Sequence, residues 1–258
     1  MFAKGMTVDF LFVLFIGLSV VLVLRRSKTH PSSYQIRKIS GLDAIDEGIG
    51  RATEMSRPVF YMPGGVGDVI DPQTLASMDV LSEVAKITAR YDTRLIVPLR
   101  RAYLVPIMSE VVRQAYASEG KQDSFRPEQI RWYADDGPAF ASGAVELMFR
   151  EKVATTVILG DFSFDALVFA EAGNQAGAIQ IGGTATINQI PFLVAACDYS
   201  IIGEEIYAAA AYLTKDPARI TALVVEDWVK YILTGLILLG AAMKTAGVVG
   251  SLTKLIDM

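Results

Sequence analysis

Two kinds of hydrophobic pattern divide the chain. Long, mainly apolar runs lie near both ends, at 10–24 (FLFVLFIGLSVVLVL) and at 228–252. Between residues 41 and 227, short apolar runs alternate with longer segments in which apolar residues recur every three or four positions. Short apolar runs are typical of buried strands, and the longer periodic segments are typical of helices. The pattern therefore predicts an α/β domain between two apolar ends.

Six short runs in the middle of the chain are predicted to be strands: PVFYMP, TRLIVPL, QIRWYADD, ATTVILGD, GAIQIGG and DYSIIG. A helical segment follows each run, and the amphipathic segment GLDAIDEGIGRATEM precedes the first. Their continuous apolar character favours strands that are buried on both faces, as in parallel sheets. A closed barrel would need eight such units. We therefore expect a doubly wound, mainly parallel, Rossmann-like sheet.

The N-terminal apolar run contains no charged residue and ends at Arg25 and Arg26. With the residues before it, the run reaches about the length that a helix needs to cross a bilayer. A cleaved signal peptide is disfavoured because the basic residues follow the run and no small-residue cleavage site appears. The positive charges predict an N-terminus outside the inner cell membrane and a cytoplasmic location for the rest.

The C-terminal run begins with Trp228, Lys230 and Tyr231, which are residue types expected at a membrane interface. It is interrupted once, by Lys244, whose long side chain could reach the headgroups. We expect a second transmembrane helix here; the alternative is a helix that lies in the interface or is buried in a partner. The predicted organisation is an anchor at 1–27, a basic linker at 28–40, a cytoplasmic domain at 41–227 and a helix with its tail at 228–258.

Composition and charge exclude several classes of protein. The 258 residues are 52% apolar, with a mean hydropathy of +0.37 and a formal net charge of −4. The negative charge and the absence of a basic stripe argue against nucleic-acid binding. Cys197 and His30 are single residues of their types, so an internal disulfide and a histidine–cysteine metal site are both excluded within one chain.

A ligand would be expected at the carboxyl ends of the predicted strands, where open parallel sheets form a crevice. Glycines, threonines and carboxylates gather in the sequences that follow two of these strands, GGVGDVID and GGTATIN. The candidate ligand-binding residues for a nucleotide or another small anion are Gly64, Gly65, Gly67, Asp68, Gly182, Gly183, Thr184 and Thr186.

Neither glycine-rich segment carries a complete phosphate motif. Asp68 stands where a P-loop needs a cation, and Ile70 stands where a dinucleotide fingerprint needs its third glycine. The favoured interpretation is a tight turn in which Asp71 caps the next helix before Pro72. For GGTAT, an anion bound on backbone amides remains open beside the same turn-and-cap role.

The sequence assigns no catalytic or metal-binding residue. Several carboxylates fall at predicted helix starts, where the helix dipole alone favours them, although a divalent cation remains an alternative. Ser163 lacks the nucleophile-elbow pattern, and Cys197 lies in an apolar run that predicts burial. An enzyme acting on a lipid-linked substrate would need Asp135, Asp136 and Asp161 close together. The cofactor stays unknown, and the sequence favours a non-enzymatic role.

Four segments carry a resemblance to a known family: GLDAIDEGIGRATEMSRPVFYMPG, YDTRLIVP, AEAGNQAGAIQIGGTA and PFLVAACDYSIIGEEIYAAAAYL. Together they resemble a bacterial and archaeal integral membrane protein family that is known as a domain of unknown function. The resemblance covers roughly residues 41–239. It implies a membrane protein with one cytoplasmic α/β domain, and it assigns no reaction and no catalytic residue.

Two functions follow as hypotheses. The first is a membrane-anchored, self-associating scaffold, because Ala242, Ala246 and Gly250 recur every four residues and IYAAAAYL offers a small-residue surface for close packing. The partners would then be the lipid bilayer and further copies of the chain. The alternative is a membrane-bound sensor or transport accessory that binds a small ligand at the predicted crevice.

Overall fold

The structure, a computed structural model, describes residues 7–29, 39–64, 71–214 and 217–245. The chain divides into two compact units, one built from the two ends of the chain and one within Arg37–Thr214. The first unit contains α1 (Thr7–Thr29) and α9 (Pro217–Thr245), which pack against each other. The predicted boundary between residues 227 and 228 falls inside α9.

The second unit is an alternating α/β domain. Its strands are β1 (Val59–Gly64), β2 (Leu95–Leu99), β3 (Ile130–Trp132), β4 (Thr155–Asp161), β5 (Ile179–Thr184) and β6 (Tyr199–Ile202). Its helices are α2 (Ser40–Glu54), α3 (Pro72–Arg90), α4 (Leu104–Ser118), α5 (Gly137–Glu151), α6 (Asp165–Gln175), α7 (Ile190–Ala196) and α8 (Glu205–Thr214). Two short 3-10 turns, Gln122–Ser124 and Pro127–Gln129, precede β3.

The six described strands form one parallel sheet in the order β3-β2-β1-β4-β5-β6. The prediction of a parallel, Rossmann-like α/β sheet is therefore confirmed. The chain builds β1 to β3 in one direction from the centre and then returns to build β4 to β6 in the other. The direction of winding reverses between β1 and β4, which are neighbours in the middle of the sheet.

Successive residues of the strands enter two separate hydrophobic cores, as the two-residue period of a strand requires. Val59 and Tyr61 face the core that α2, α3, α4 and α8 cover. Phe60 and Met62 face the core that α5, α6 and α7 cover. Helices on both faces explain why the strands are continuously apolar in sequence.

Aspartates cap two of the helices that follow strands. The Asp71 carboxylate accepts a hydrogen bond from the Thr74 amide (2.8 Å), and Pro72 occupies the first turn of α3, which confirms the predicted cap. The predicted turn before it, at 65–70, lies outside the described residues. Asp136 caps α5 in the same way through the Ala139 amide (3.0 Å). Such caps satisfy amide groups that a helix leaves free at its start.

Glycines allow α2 to approach the sheet closely. A Cβ at Gly41 would lie 2.7 Å from a side-chain carbon of Ile201, and one at Gly48 would lie 2.8 Å from Cγ2 of Thr155. The Thr155 hydroxyl also donates a hydrogen bond to the Gly48 carbonyl oxygen (2.7 Å). The predicted amphipathic helix is thus held on the sheet by close backbone contact as well as by its apolar face.

A buried tyrosine joins α3 to the sheet. The Tyr61 hydroxyl donates to the Ser77 carbonyl oxygen (2.6 Å), and the Ser77 hydroxyl donates to the Leu159 carbonyl oxygen (2.7 Å). Burial raises the pKa of Tyr61 above its ordinary value.

We expect Tyr61→Phe to cost about 1–2 kcal/mol of unfolding free energy at neutral pH, because the Ser77 carbonyl loses a buried donor. The raised pKa also sets a pH dependence. The stability that the neutral phenol contributes is complete below its unfolded pKa of about 10 and is lost as pH rises above that value. Urea titrations at pH 8 and pH 11 check this: the wild type should lose more stability between them than Tyr61→Phe does. Equal losses would contradict it.

The terminal helices α1 and α9 expose apolar side chains on most sides, among them Val13, Leu18, Ile237 and Leu238. Among the described residues, none of the helices combines the length and the apolar character that a bilayer crossing requires. The two predicted transmembrane helices are therefore unsupported in the described part of the chain. Arg25 and Arg26 end the apolar run of α1, and residues 246–252 of the second predicted span lie outside the described residues.

Candidate functional site

The reversal between β1 and β4 defines the place where a ligand is expected. α3 leaves β1 toward one face of the sheet and α6 leaves β4 toward the other, as their membership of separate cores shows. In open parallel sheets, such a reversal separates the two loops and forms a crevice at the carboxyl ends of the strands.

The backbones of β1 and β4 are in close contact at this point. Gly64 has a φ of +84° and Gly160 a φ of +147°, and the pairing register shifts between Met62 and Gly64. A Cβ at Gly64 would lie 2.6 Å from the carbonyl oxygen of Asp161, and one at Gly160 would overlap the carbonyl oxygen of Pro63. Only glycine fits both positions, so the carboxyl ends of β1 and β4 meet in a fixed backbone junction.

A polar network joins three segments around this junction. The Thr186 hydroxyl donates to Oδ1 of Asp161 (2.6 Å) and accepts from Nε2 of Gln73 (3.2 Å). Oε1 of Gln73 accepts from the Ala185 amide (2.7 Å) and from the Thr184 hydroxyl (3.3 Å). The network therefore fixes the start of α3 and the carboxyl ends of β4 and β5 relative to each other.

The residues predicted after β1 are only partly described. Gly64 is the last residue of β1 and forms the backbone junction. Gly65, Gly67 and Asp68 lie outside the described residues. A ligand-binding role for this segment stays a prediction.

The residues predicted after β5 belong to the strand and to the polar network. Gly182 and Gly183 are buried inside β5, where a Cβ would lie 2.5 Å from Sγ of Cys197 and 2.5 Å from Cδ2 of Leu159, respectively. Their lack of a side chain is therefore explained by packing. Thr184 and Thr186 are the members of the set that reach the polar network, and ligand binding by all four residues stays a prediction.

Asp165, in the first turn of α6, is a polar residue that the sequence places at a helix start without indicating its burial. Its side chain is fully buried. Oδ1 accepts from the Ser163 amide (3.1 Å), whereas Oδ2 is buried without a hydrogen-bond partner among the described residues. Burial raises the pKa of Asp165, and the nearby Arg100 guanidinium opposes that rise. A buried carboxyl with one unsatisfied oxygen at the sheet edge is typical of a functional position.

We expect Asp165→Asn to be more stable than the wild type at pH 7 and equal to it near pH 3. Because the folded pKa is raised, the stability that the neutral carboxyl contributes is complete below its unfolded pKa of about 4 and is lost as pH rises through the folded pKa. Asparagine stays neutral throughout and can keep the Ser163 hydrogen bond. Thermal unfolding at both pH values checks this, with the exposed Asp123→Asn as control; a variant less stable than wild type at pH 7 would contradict it.

The carboxylates considered for an enzyme follow strands that are not neighbours in the sheet. Asp135 and Asp136 follow β3, which is separated from β4 by β2 and β1, about 14 Å across the sheet. Asp136 caps α5, and Asp161 accepts a hydrogen bond from Thr186. Within the described residues, no group of three acidic, histidine or cysteine side chains could hold a metal ion.

Cys197 is a poor nucleophile in this environment. Its sulfur lies beside Gly182, and burial together with the charge of Asp198 raises the pKa of the thiol to about 12. The thiol is therefore protonated near neutral pH. The residue, which was predicted to be buried, is half-buried.

The parallel strand order, with helices on both faces of the sheet, defines a Rossmann-like α/β domain. The chain belongs to the family described as Domain of unknown function (DUF6754), whose model matches residues 1–255. This confirms the resemblance to a family of unknown function; the description indicates neither a membrane location nor a group of organisms. No curated protein matches the chain, and no solved structure matches it.

Proposed function

We propose that this protein is a membrane-attached scaffold whose α/β domains self-associate. The observation that carries the proposal is the apolar surface of α1 and α9. Val13, Leu18 and Leu22 are 67%, 56% and 54% exposed on α1, and Ile237 and Leu238 are 70% and 65% exposed on α9. A fully buried side chain of this kind stabilises by roughly 1.5–3 kcal/mol. Burying the apolar side chains of these two helices against lipid or protein would therefore be strongly stabilising.

A lipid environment suits this surface better than a single protein contact. Exposed apolar residues of α1 occur at 13–15, 18 and 20–22, which surround most of the helix, whereas Ser19 and Val23 form its buried stripe. A helix that is apolar on nearly all sides requires an apolar environment on nearly all sides. The proposed orientation, with the N-terminus outside and the α/β domain cytoplasmic, rests on Arg25 and Arg26 after the apolar run.

Membrane attachment is tested by extracting cell membranes with alkaline carbonate. The wild-type chain should remain in the membrane fraction, and Leu18→Lys/Leu22→Lys should be released, because each lysine costs about 3 kcal/mol in an apolar environment. Leu75→Lys, on α3 of the α/β domain, is the matched control for an exposed leucine and should remain attached. Release of the wild type would overturn membrane attachment.

Self-association is supported by an apolar surface on the α/β domain. α6 and α7 pack against each other and expose Leu167, Val168, Phe192 and Val194. Contiguous apolar patches on a monomer commonly mark contact sites. The small-residue surface expected of α8 contributes less than predicted, because Ala209 is fully buried in the domain's own core.

The size of the full chain in mild detergent tests self-association. We expect an oligomer that Leu167→Lys reduces to a monomer, because a lysine at the centre of the contact would lose its hydration. Leu75→Lys is again the control, since Leu75 is 45% exposed and Leu167 is 42% exposed. A monodisperse wild-type monomer would exclude the scaffold role while leaving membrane attachment intact.

A second candidate function is binding of a nucleotide or another small anion at the crevice between β1 and β4. The reversal of strand order favours it. Burial also favours the neutral form of the Asp165 carboxyl, which could donate a hydrogen bond to the ligand from Oδ2, an atom without a partner in the described part of the chain. Thermal unfolding with nucleotides, in the presence and absence of Mg²⁺, tests it. A stabilisation that Asp165→Leu abolishes would support this function, and no stabilisation by any nucleotide would remove it.

A further inference from the structure

A cavity of about 440 Å³ lies at the opposite edge of the sheet from the β1–β4 crevice. The ends of α3 and α4 and the segment before β3 line it, so it belongs to the amino-terminal edge of β2 and β3. Its volume is in the range of small-molecule sites. None of the residues predicted to bind a ligand lines this amino-edge cavity.

The floor of the amino-edge cavity is polar and buried. Tyr116 is 3% exposed and Gln129 is 8% exposed. Nε2 of Gln129 donates to the Tyr116 hydroxyl (3.1 Å), and Oε1 of Gln129 accepts from the Arg126 amide (3.2 Å). The Tyr116 oxygen therefore accepts a hydrogen bond, while its own hydrogen has no acceptor among the described residues. A buried hydroxyl in this state offers a donor to a bound group.

The rim adds two guanidinium groups without ionic partners among the described residues. Arg126 and Arg131 line the cavity and form no ion pair there; Arg131 uses only Nε, which donates to the Glu128 carbonyl oxygen (2.6 Å). Arg94, by contrast, pairs with Glu151 (2.7 Å). Guanidinium groups bind carboxylates and phosphates through paired hydrogen bonds.

Acidic residues on the same rim limit the charge of the ligand. Asp123 and Glu128 also line the cavity, and Asp92 is already paired with Lys121 (2.8 Å). A polyanion would be repelled by the two carboxylates, whereas a single anionic group could contact both arginines and the Tyr116 hydroxyl. We propose that the amino-edge cavity binds a small ligand through one carboxylate or phosphate group.

Thermal unfolding of the full chain in detergent tests this proposal. Inorganic phosphate and glutamate, each at about 20 mM and compared with chloride at equal ionic strength, are the probes. We expect one of them to raise the Tm by about 3 °C or more, and which one does so identifies the anionic group. No shift with either anion would overturn the proposal.

Variants test whether the Tm shift arises from binding in the amino-edge cavity. Arg126→Gln/Arg131→Gln should abolish the shift, and Tyr116→Phe should reduce it to less than half, each measured against the variant's own Tm. Arg113→Gln/Arg150→Gln removes the same charge from two other exposed arginines, which pair with Glu110 and Glu146. A shift that survives in the first double variant, or that disappears equally in the second, would show general charge screening and overturn the site.

Discussion

Replacing Gly160 by alanine is expected to destabilise the α/β domain by about 4 kcal/mol and to lower its Tm by roughly 10 °C. The new Cβ would overlap the carbonyl oxygen of Pro63, and the φ of +147° is one that side chains rarely adopt. Backbone atoms of two central strands cannot move apart without breaking the β1–β4 ladder. The variant should therefore lose an unfolding free energy close to the full energy of the steric overlap.

Gly177→Ala is the control for Gly160→Ala, because it places an alanine at a positive φ without a steric overlap. Gly177 has a φ of +70°, and a Cβ there would have no atom within 4 Å. Its replacement should cost only about 1 kcal/mol. Thermal or urea unfolding of both variants measures the difference, and similar losses would show that β1 and β4 are not in close contact at Gly160.

Gly48→Ala and Gly50→Ala should change stability in opposite directions, although both alter the same helix. A Cβ added at Gly48 would lie 2.8 Å from Cγ2 of Thr155, whereas one added at Gly50 would have no atom within 4 Å. Gly50→Ala should stabilise by up to about 1 kcal/mol through helix propensity alone. Gly48→Ala should destabilise by about 2 kcal/mol. The added Cβ would push α2 away from β4, and the free-energy cost of this overpacking exceeds the gain from helix propensity.

Gly48 and Gly50 lie in the same helix, so each variant is the control for the other. Urea unfolding of the two variants should differ by roughly 3 kcal/mol, which is the sum of the two opposite effects. Circular dichroism of each folded variant confirms that helix content is retained. Equal stabilities would mean that α2 does not lie on β4 as the structure places it.

The elements of the α/β domain were predictable because their hydrophobic periods differ. All six described strands occur where short apolar runs predict them, and the Asp71 cap follows from a carboxylate placed before Pro72. Strand order was not predictable from the same pattern. The central strands are buried on both faces, so nothing in the sequence of one distinguishes it from its neighbour.

The candidate sites were predictable only in part, because their decisive features arise from contacts between distant segments. From the sequence, Asp165 is only an acidic residue at the start of a predicted helix. The packing of α6 against the sheet shows that its carboxyl is buried. Gly160 lies near the end of a strand like several other glycines, and its role depends on Pro63, nearly a hundred residues away. The amino-edge cavity involves the 3-10 turns before β3, a segment without hydrophobic periodicity.

The division into two units has a consequence for the order of events during synthesis. The unit that contains α1 also needs α9, and the whole α/β domain is encoded between them. A ribosome adding 5–20 residues per second needs on the order of 10–40 s to pass from the end of α1 to the beginning of α9. During that interval α1 has emerged without its helical partner. Its apolar residues must then rely on a chaperone, a translocase or the lipid surface itself.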